Sequence, residues 1–239
     1  MLMEENRKFK KMVLNNEQGQ YAASFFRAAY QDYLSARQLL INDLLLQGCI
    51  MANTAIEKYF KGMKAVLNES IPRHHDITVN RFKNTIKNKF GVIYERINFE
   101  FIEFVSKSYA LRYSDEVPVE FNLAIIRGKT LAELDYLVTE IEENIMITHS
   151  LLRENKNMYR FHKDIEYHLL FNYNYYLKSV DKTNFIEQRD TVYEFRKTSE
   201  RGVLEIQYTT DQIKNDGKFI YDAFKPDFID GKNKFNLCF

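Results

Sequence analysis

The stretch Gln47-Gly-Cys-Ile-Met-Ala-Asn-Thr-Ala-Ile-Glu-Lys-Tyr-Phe-Lys61 decides the fold. Ala52, Ile56, Tyr59 with Phe60, Met63 and Val66 recur at steps of three and four, the spacing of one helix face. This predicts a helix from about Ile50 to Leu67 whose apolar stripe needs a partner surface. The partner lies upstream, where Tyr30, Tyr33, Ala36, Leu40 and Leu44 mark one face of a helix from about Ala22 to Leu46, with Asp32 and Arg37 turned away from the core. Gln47-Gly48 reads as the stop between them, since glycine accepts the left-handed conformation of a helix end. Two helices so closely linked pack antiparallel. Glu57 and Lys61 stand in the favourable order for a helical ion pair. Lys58, Lys61 and Lys64 form a basic ridge beside the stripe. Pro72 ends the helix, and Arg73, His74, His75 and Asp76 follow at once.

Downstream, a helix is expected over about Arg81 to Lys89. Gly91 interrupts, and Ile97, Phe101, Phe104, Val105 and Ser108 give the face of the next helix, which ends around Tyr109-Ala-Leu-Arg112-Tyr113. Val117 to Lys129, with Pro118 and Gly128, reads as an extended connection. Thr130 and Glu133 have the spacing of a capping box. After them Leu131, Leu134, Val138, Ile141, Ile145, Thr148 and Leu152 form an apolar seam, the last helix of a bundle or its extension into a dimer contact. The aromatic and amide-rich residues 157–181 predict one further helix packed on several sides. Asp190 to Arg196 and Val203 to Thr209 alternate around a Gly-containing break, the pattern of a β-hairpin. A short helix around Lys218 to Phe224 precedes a loose tail. The fold class is mainly α: an up-and-down antiparallel helical bundle over residues 1–155, with a C-terminal extension of helix, hairpin and tail over 156–239 that packs on the bundle or on a second subunit.

Composition sets outer limits. A chain of 239 residues with 45% hydrophobic and 28% charged side chains is long enough to bury a core without disulfides or metals. Eight glycines and three prolines favour long helices. The net charge of +1 gives no bulk attraction to nucleic acid or membrane, so any anion site is a local patch. Cys49 and Cys238 make no disulfide framework. With a polar N-terminus and no run near the ~18 apolar residues of a membrane span, a cytoplasmic protein without membrane partners is expected.

Several patterns in order carry a resemblance. Ala29-x-x-Asp32-x-x-x-Ala36, then Ala55-Ile-Glu57-Lys58-Tyr59-x-Lys61, then Pro72-x-x-His75-Asp76, and later Tyr109-x-x-Arg112-Tyr113-x-Asp115 resemble the HEPN domain (higher eukaryotes and prokaryotes nucleotide-binding) over roughly residues 20–155. The resemblance implies a helical bundle, often dimeric, that serves as a nucleotide-binding module, an RNA-cleaving toxin or the partner of a small nucleotidyltransferase. It also implies that the second helix, the Arg73–Asp76 turn and the Arg112 region meet on one side. The expected ligand-binding residues are therefore Lys58, Lys61, Arg73, His74, His75, Asp76, Arg112 and Tyr113, with a nucleotide as the ligand and no other cofactor. Two of them have a plainer reading, while Arg73 and the two histidines on a polar turn are poorly explained by packing. Asp76 caps the following helix, and Arg112 complements a helix C-terminus. A metal at His74 and His75 is disfavoured, because adjacent rings rarely reach one ion.

The RNA-cleaving branch of the family carries an Arg followed by a His after four to six intervening residues. None of the five histidines has one; Arg160 and His168 are separated by seven residues in the wrong region. P-loop, dinucleotide-loop, Cys-x-x-Cys and nucleophile-elbow motifs are also missing. The expectation is a non-catalytic binding module, a homodimer, accessory to a nucleotidyltransferase or a toxin–antitoxin-like system. The alternatives are a divergent metal-independent endoribonuclease using His74 or His75, and a pure interaction module.

Overall fold

A computed structural model describes residues 13–71, 77, 80–113, 115, 117–147 and 157–221. Helix α1 (Asn16–Ile41) begins at Asn15, whose side chain accepts from the Gln18 amide at 2.8 Å. Helix α2 (Leu45–Val66) returns antiparallel after a turn in which Asp43 takes a positive φ of 61°. The break therefore precedes Gly48, which lies inside α2. Its role is close approach: a Cβ there would sit 2.6 Å from Leu40 Cγ on α1. The stripe read from the sequence is buried, with Ala52, Ile56, Tyr59, Phe60, Met63 and Val66 all in the core. Ile56, Phe60, Met63 and Val66 each contribute roughly 1.5–3 kcal/mol by this burial.

Arg37 corrects the sequence reading, being wholly buried rather than turned outward. Its guanidinium pairs with Asp135, donates from Nε to the Leu169 carbonyl at 3.2 Å and from Nη2 to the Asn172 carbonyl. Tyr33 Oη donates to the other Asp135 oxygen at 2.8 Å. A charge inside a helix bundle is tolerated only when its donors are satisfied in this way.

Helices α3 (Asn80–Lys89), α4 (Gly91–Arg96) and α5 (Phe99–Ala110) follow, and α5 ends in a 3-10 turn, Leu111–Tyr113. The connection read as merely extended contains strand β1 (Asn122–Ile126) and then enters α6 (Arg127–Asn144) directly. The capping box at Thr130 and Glu133 is overturned: Thr130 is buried inside α6. The cap comes instead from Asp190, whose carboxylate accepts from the Gly128 amide and from Arg127 Nε. The seam residues Leu131, Leu134, Val138, Ile141 and Ile145 are buried; Thr148 and Leu152 lie outside the described residues.

The single helix expected over 157–181 is broken into α7 (Met158–Asp164) and α8 (His168–Phe171), with positive φ at Glu166, Tyr173 and Ser179. Its amides act as caps: Asn157 accepts from the Arg160 amide and Asn174 from the Leu177 amide. After α9 (Lys182–Ile186) the expected hairpin forms as β2 (Asp190–Lys197) and β3 (Val203–Thr210). It gains β1 as an outer strand, giving an antiparallel sheet of order β1-β2-β3. Leu123, Ile125 and Phe195 bury one sheet face in the bundle core. Residues 218–221 are not helical. Phe219 packs on Phe104 and Phe101 with ring centroids 4.6 and 5.6 Å apart, and Ile220 bridges Ala124. The chain is thus mainly helical with one small sheet.

Candidate functional site

The basic ridge of α2 is present, but each of its lysines faces a carboxylate. Lys58 Nζ lies 2.5 Å from Asp32 of α1, Lys61 pairs with Glu57 one turn earlier, and Lys64 reaches Glu69 at 2.8 Å. Glu57 and Lys61 form the ion pair that their order predicts. Lys64 is buried and also contacts Thr85 of α3. The ridge is a set of neutralised pairs that ties α2 to α1 and α3. Lys58 is the most open of the three, its side chain one-third exposed.

Arg73, His74, His75 and Asp76 lie outside the described residues. Beside them, Ile77 helps line a hollow of about 120 Å³ with Phe60, Ile86, Phe99 and Ile102. That is well short of the ~300–1,000 Å³ of pockets that enclose small-molecule ligands. Lys83 Nζ stands 5.0 Å from the Phe99 ring centroid.

Arg112 is built differently from the lysines. It sits in the 3-10 turn after α5, is exposed, and makes no ion pair among the described residues. Its guanidinium carbon stands 4.7 Å from the Tyr109 ring centroid and 5.4 Å from that of Tyr113, and Nη1 donates to Tyr109 Oη. The two rings hold a planar cation open to solvent on a short helical turn. Tyr113 itself is half-exposed at 53%. Among the described residues the hydrogen-bond and ring partners of Arg112 are Tyr109 of α5 and Tyr113 of its own turn, and none comes from α2. The structure therefore brings Arg112 and Tyr113 together and sets Lys58 and Lys61 on their own helix with acidic neighbours.

A second polar group joins α1, α6 and α7; His162 stands out in the sequence as a tempting ligand beside Glu166 and His168, whereas Glu142 does not. Tyr30 Oη and His162 Nδ1 are 2.9 Å apart, and the His162 ring lies 4.1 Å from that of Tyr167. Burial lowers the His162 pKa. Glu142 of α6 accepts from Tyr59 Oη at 2.7 Å and from Asn157 Nδ2 at 2.6 Å. Burial pushes its carboxyl up to about 7, against the opposing pull of those two bonds. The signal was faint: a Glu in the final turn of an otherwise apolar seam, where the helix dipole disfavours an anion. Among the described residues no group of three His, Cys, Asp or Glu side chains is placed to hold a metal ion, and no helix is long and apolar enough to cross a membrane.

In comparison with known proteins, the model of the HEPN domain family matches residues 22–145, just over half of the chain. No curated protein and no solved structure matches.

Proposed function

The chain belongs to the HEPN domain family, and from that premise we propose that it is a binding module that holds the phosphate of a nucleotide or of RNA without cleaving it. The observation that supports this reading is Arg112: exposed, stacked by Tyr109 and Tyr113, and without a carboxylate partner among the described residues. A guanidinium offers a phosphate two parallel hydrogen bonds, and the flanking rings suit a base that stacks. Lys58, Lys61 and the Arg73, His74, His75 and Asp76 turn complete the proposed ligand set. For Lys58 and Lys61 an incoming phosphate competes with Asp32 and Glu57.

Titration calorimetry with nucleoside triphosphates and with a short RNA tests the reading. Saturable binding is expected. Arg112→Ala should weaken it by about tenfold or more, because a hydrogen bond to a charged group is worth about 1.5–3 kcal/mol. No binding at millimolar ligand, or binding untouched by Arg112→Ala and Arg73→Ala alike, removes the proposal. RNA degradation abolished by His75→Ala would replace it with a nuclease.

A second reading is favoured by the neutralised ridge. Side chains paired as Lys58–Asp32 and Lys61–Glu57 suit a surface that docks a protein more than one that gathers phosphates. In this reading the chain is the partner of a nucleotidyltransferase, and co-purification with such an enzyme, in the absence of nucleotide binding, supports it.

A further inference from the structure

We propose that strand β3 is a self-pairing edge through which two copies of this chain join their sheets. β3 stands at the outside of the sheet order, and among the described residues no strand pairs with its outer edge. From Val203 to Thr209 every residue is exposed, including Val203 at 45%, Leu204 at 37%, Ile206 at 48% and Tyr208 at 38%. Natural sheets usually guard such an edge with charged side chains, lysine above all, or with a proline, a bulge or a covering element. β3 carries one charge, Glu205, but no lysine and no proline, and its pairing with β2 runs without a bulge.

The hydrogen-bond directions define which backbone groups are on offer. The Lys197 amide donates to the Phe121 carbonyl at 2.9 Å, and its own carbonyl accepts from the Glu120 amide at 2.8 Å. Lys197 therefore bonds toward β1, and the alternate residues Arg196, Glu194, Val192 and Asp190 bond toward β3, where they face Leu204, Ile206, Tyr208 and Thr210. This leaves the N–H and C=O groups of Val203, Glu205, Gln207 and Thr209 pointing off the free edge.

Those groups and the side chains agree on one partner and one register. A twofold axis through Ile206 sets Glu205 against Gln207 of the second copy and Val203 against Thr209. Every outward-facing backbone group then enters a hydrogen-bonded pair. On the other parity Ile206 meets Ile206, and Leu204 meets Tyr208, in the close non-hydrogen-bonded positions where apolar cross-strand pairs contribute most. Shifting the axis to Glu205 places like charges opposite each other. Shifting it to Gln207 carries Val203 past the end of the strand and leaves its backbone groups unpaired. A second copy is thus the occupant to which this edge is complementary. β3 lies beyond residues 22–145, so this contact does not involve the part of the chain that matches the family.

The test uses the full chain. Sedimentation velocity at about 100 µM, where even a small edge contact is populated, should give a dimer. Gln207→Pro removes an outward amide without touching the β2 ladder, and Ile206→Lys sets two ammonium groups face to face; each should return the chain to monomer with its circular dichroism spectrum kept. In a Cys238→Ser background, Ile206→Cys should link two chains by a disulfide under mild oxidation, and Glu205→Cys should not. A monomeric wild-type chain overturns the proposal. So does a dimer that survives both Gln207→Pro and Ile206→Lys, or a Glu205→Cys variant that cross-links as readily as Ile206→Cys.

Discussion

Glu142 is held by a fold that favours its protonated form. Its pKa rises from 4.5 to about 7 because burial outweighs the bonds from Tyr59 and Asn157. A folded-state value above the unfolded one means that native chains keep a proton unfolded chains have lost. The stabilisation is complete below about pH 4.5 and is lost as pH rises through about 7. Urea midpoints measured from pH 5 to 8 should fall with pH, and Glu142→Gln should flatten that slope; an unchanged slope would show that another group titrates. At this scale the sequence was only partly legible. Glu57–Lys61 could be read because both partners lie on one helix, whereas Arg37 was misread. Its partner Asp135 stands 98 positions away, and the carbonyls that complete its shell belong to the turns around α8. Of the eight residues singled out as ligand-binding, Arg73, His74, His75 and Asp76 lie outside the described residues. The carboxylate beside Lys58 was invisible because α1 and α2 had to be docked first to bring Asp32 to it.

Elements were legible where hydrophobic period and local turn chemistry sufficed. The α1–α2 pair, α5 and the β2–β3 hairpin all carry their own pattern. The start of α6 does not, because its cap arrives from a strand about sixty residues later. Asp190 accepts from the Gly128 amide, and its other oxygen is held by Arg127 and the Thr191 amide. Gly128→Ala should expose this device: the new Cβ would stand 2.7 Å from Asp190 Oδ2. Because that carboxylate is fixed from three sides, the expected loss is about 1–3 kcal/mol in chemical denaturation. A neutral result would mean that Asp190 has room to retreat. The region 157–181 went astray for a related reason. With neither glycine nor proline it looked helical, yet its asparagines bond local backbone and favour breaks, and Glu166, Tyr173 and Ser179 absorb positive φ.

At the level of the molecule, the C-terminal segment is part of the same core as the family-matched bundle. β1 and β2 share a ladder, and Phe219 inserts against Phe101 and Phe104 of α5. Phe219→Ala should therefore cost about 3–5 kcal/mol and lower the midpoint of one cooperative transition. If far-ultraviolet circular dichroism instead split into separate melts, the segment would be an independent unit. Composition indicated mainly helix but held no hint that the sheet would be three-stranded, since β1 is a short apolar run without alternation.

Lys129 adds a temporal consequence. Its ammonium, almost wholly buried in α6, is neutralised by Asp216 at 3.0 Å and by the Lys218 carbonyl. Lys129 is synthesised 87 and 89 positions before those two acceptors. The final surroundings of Lys129 and the cover over Phe101 and Phe104 therefore depend on residues 216–219, so a chain halted before them lacks the acceptors and the ring that complete this part of the core.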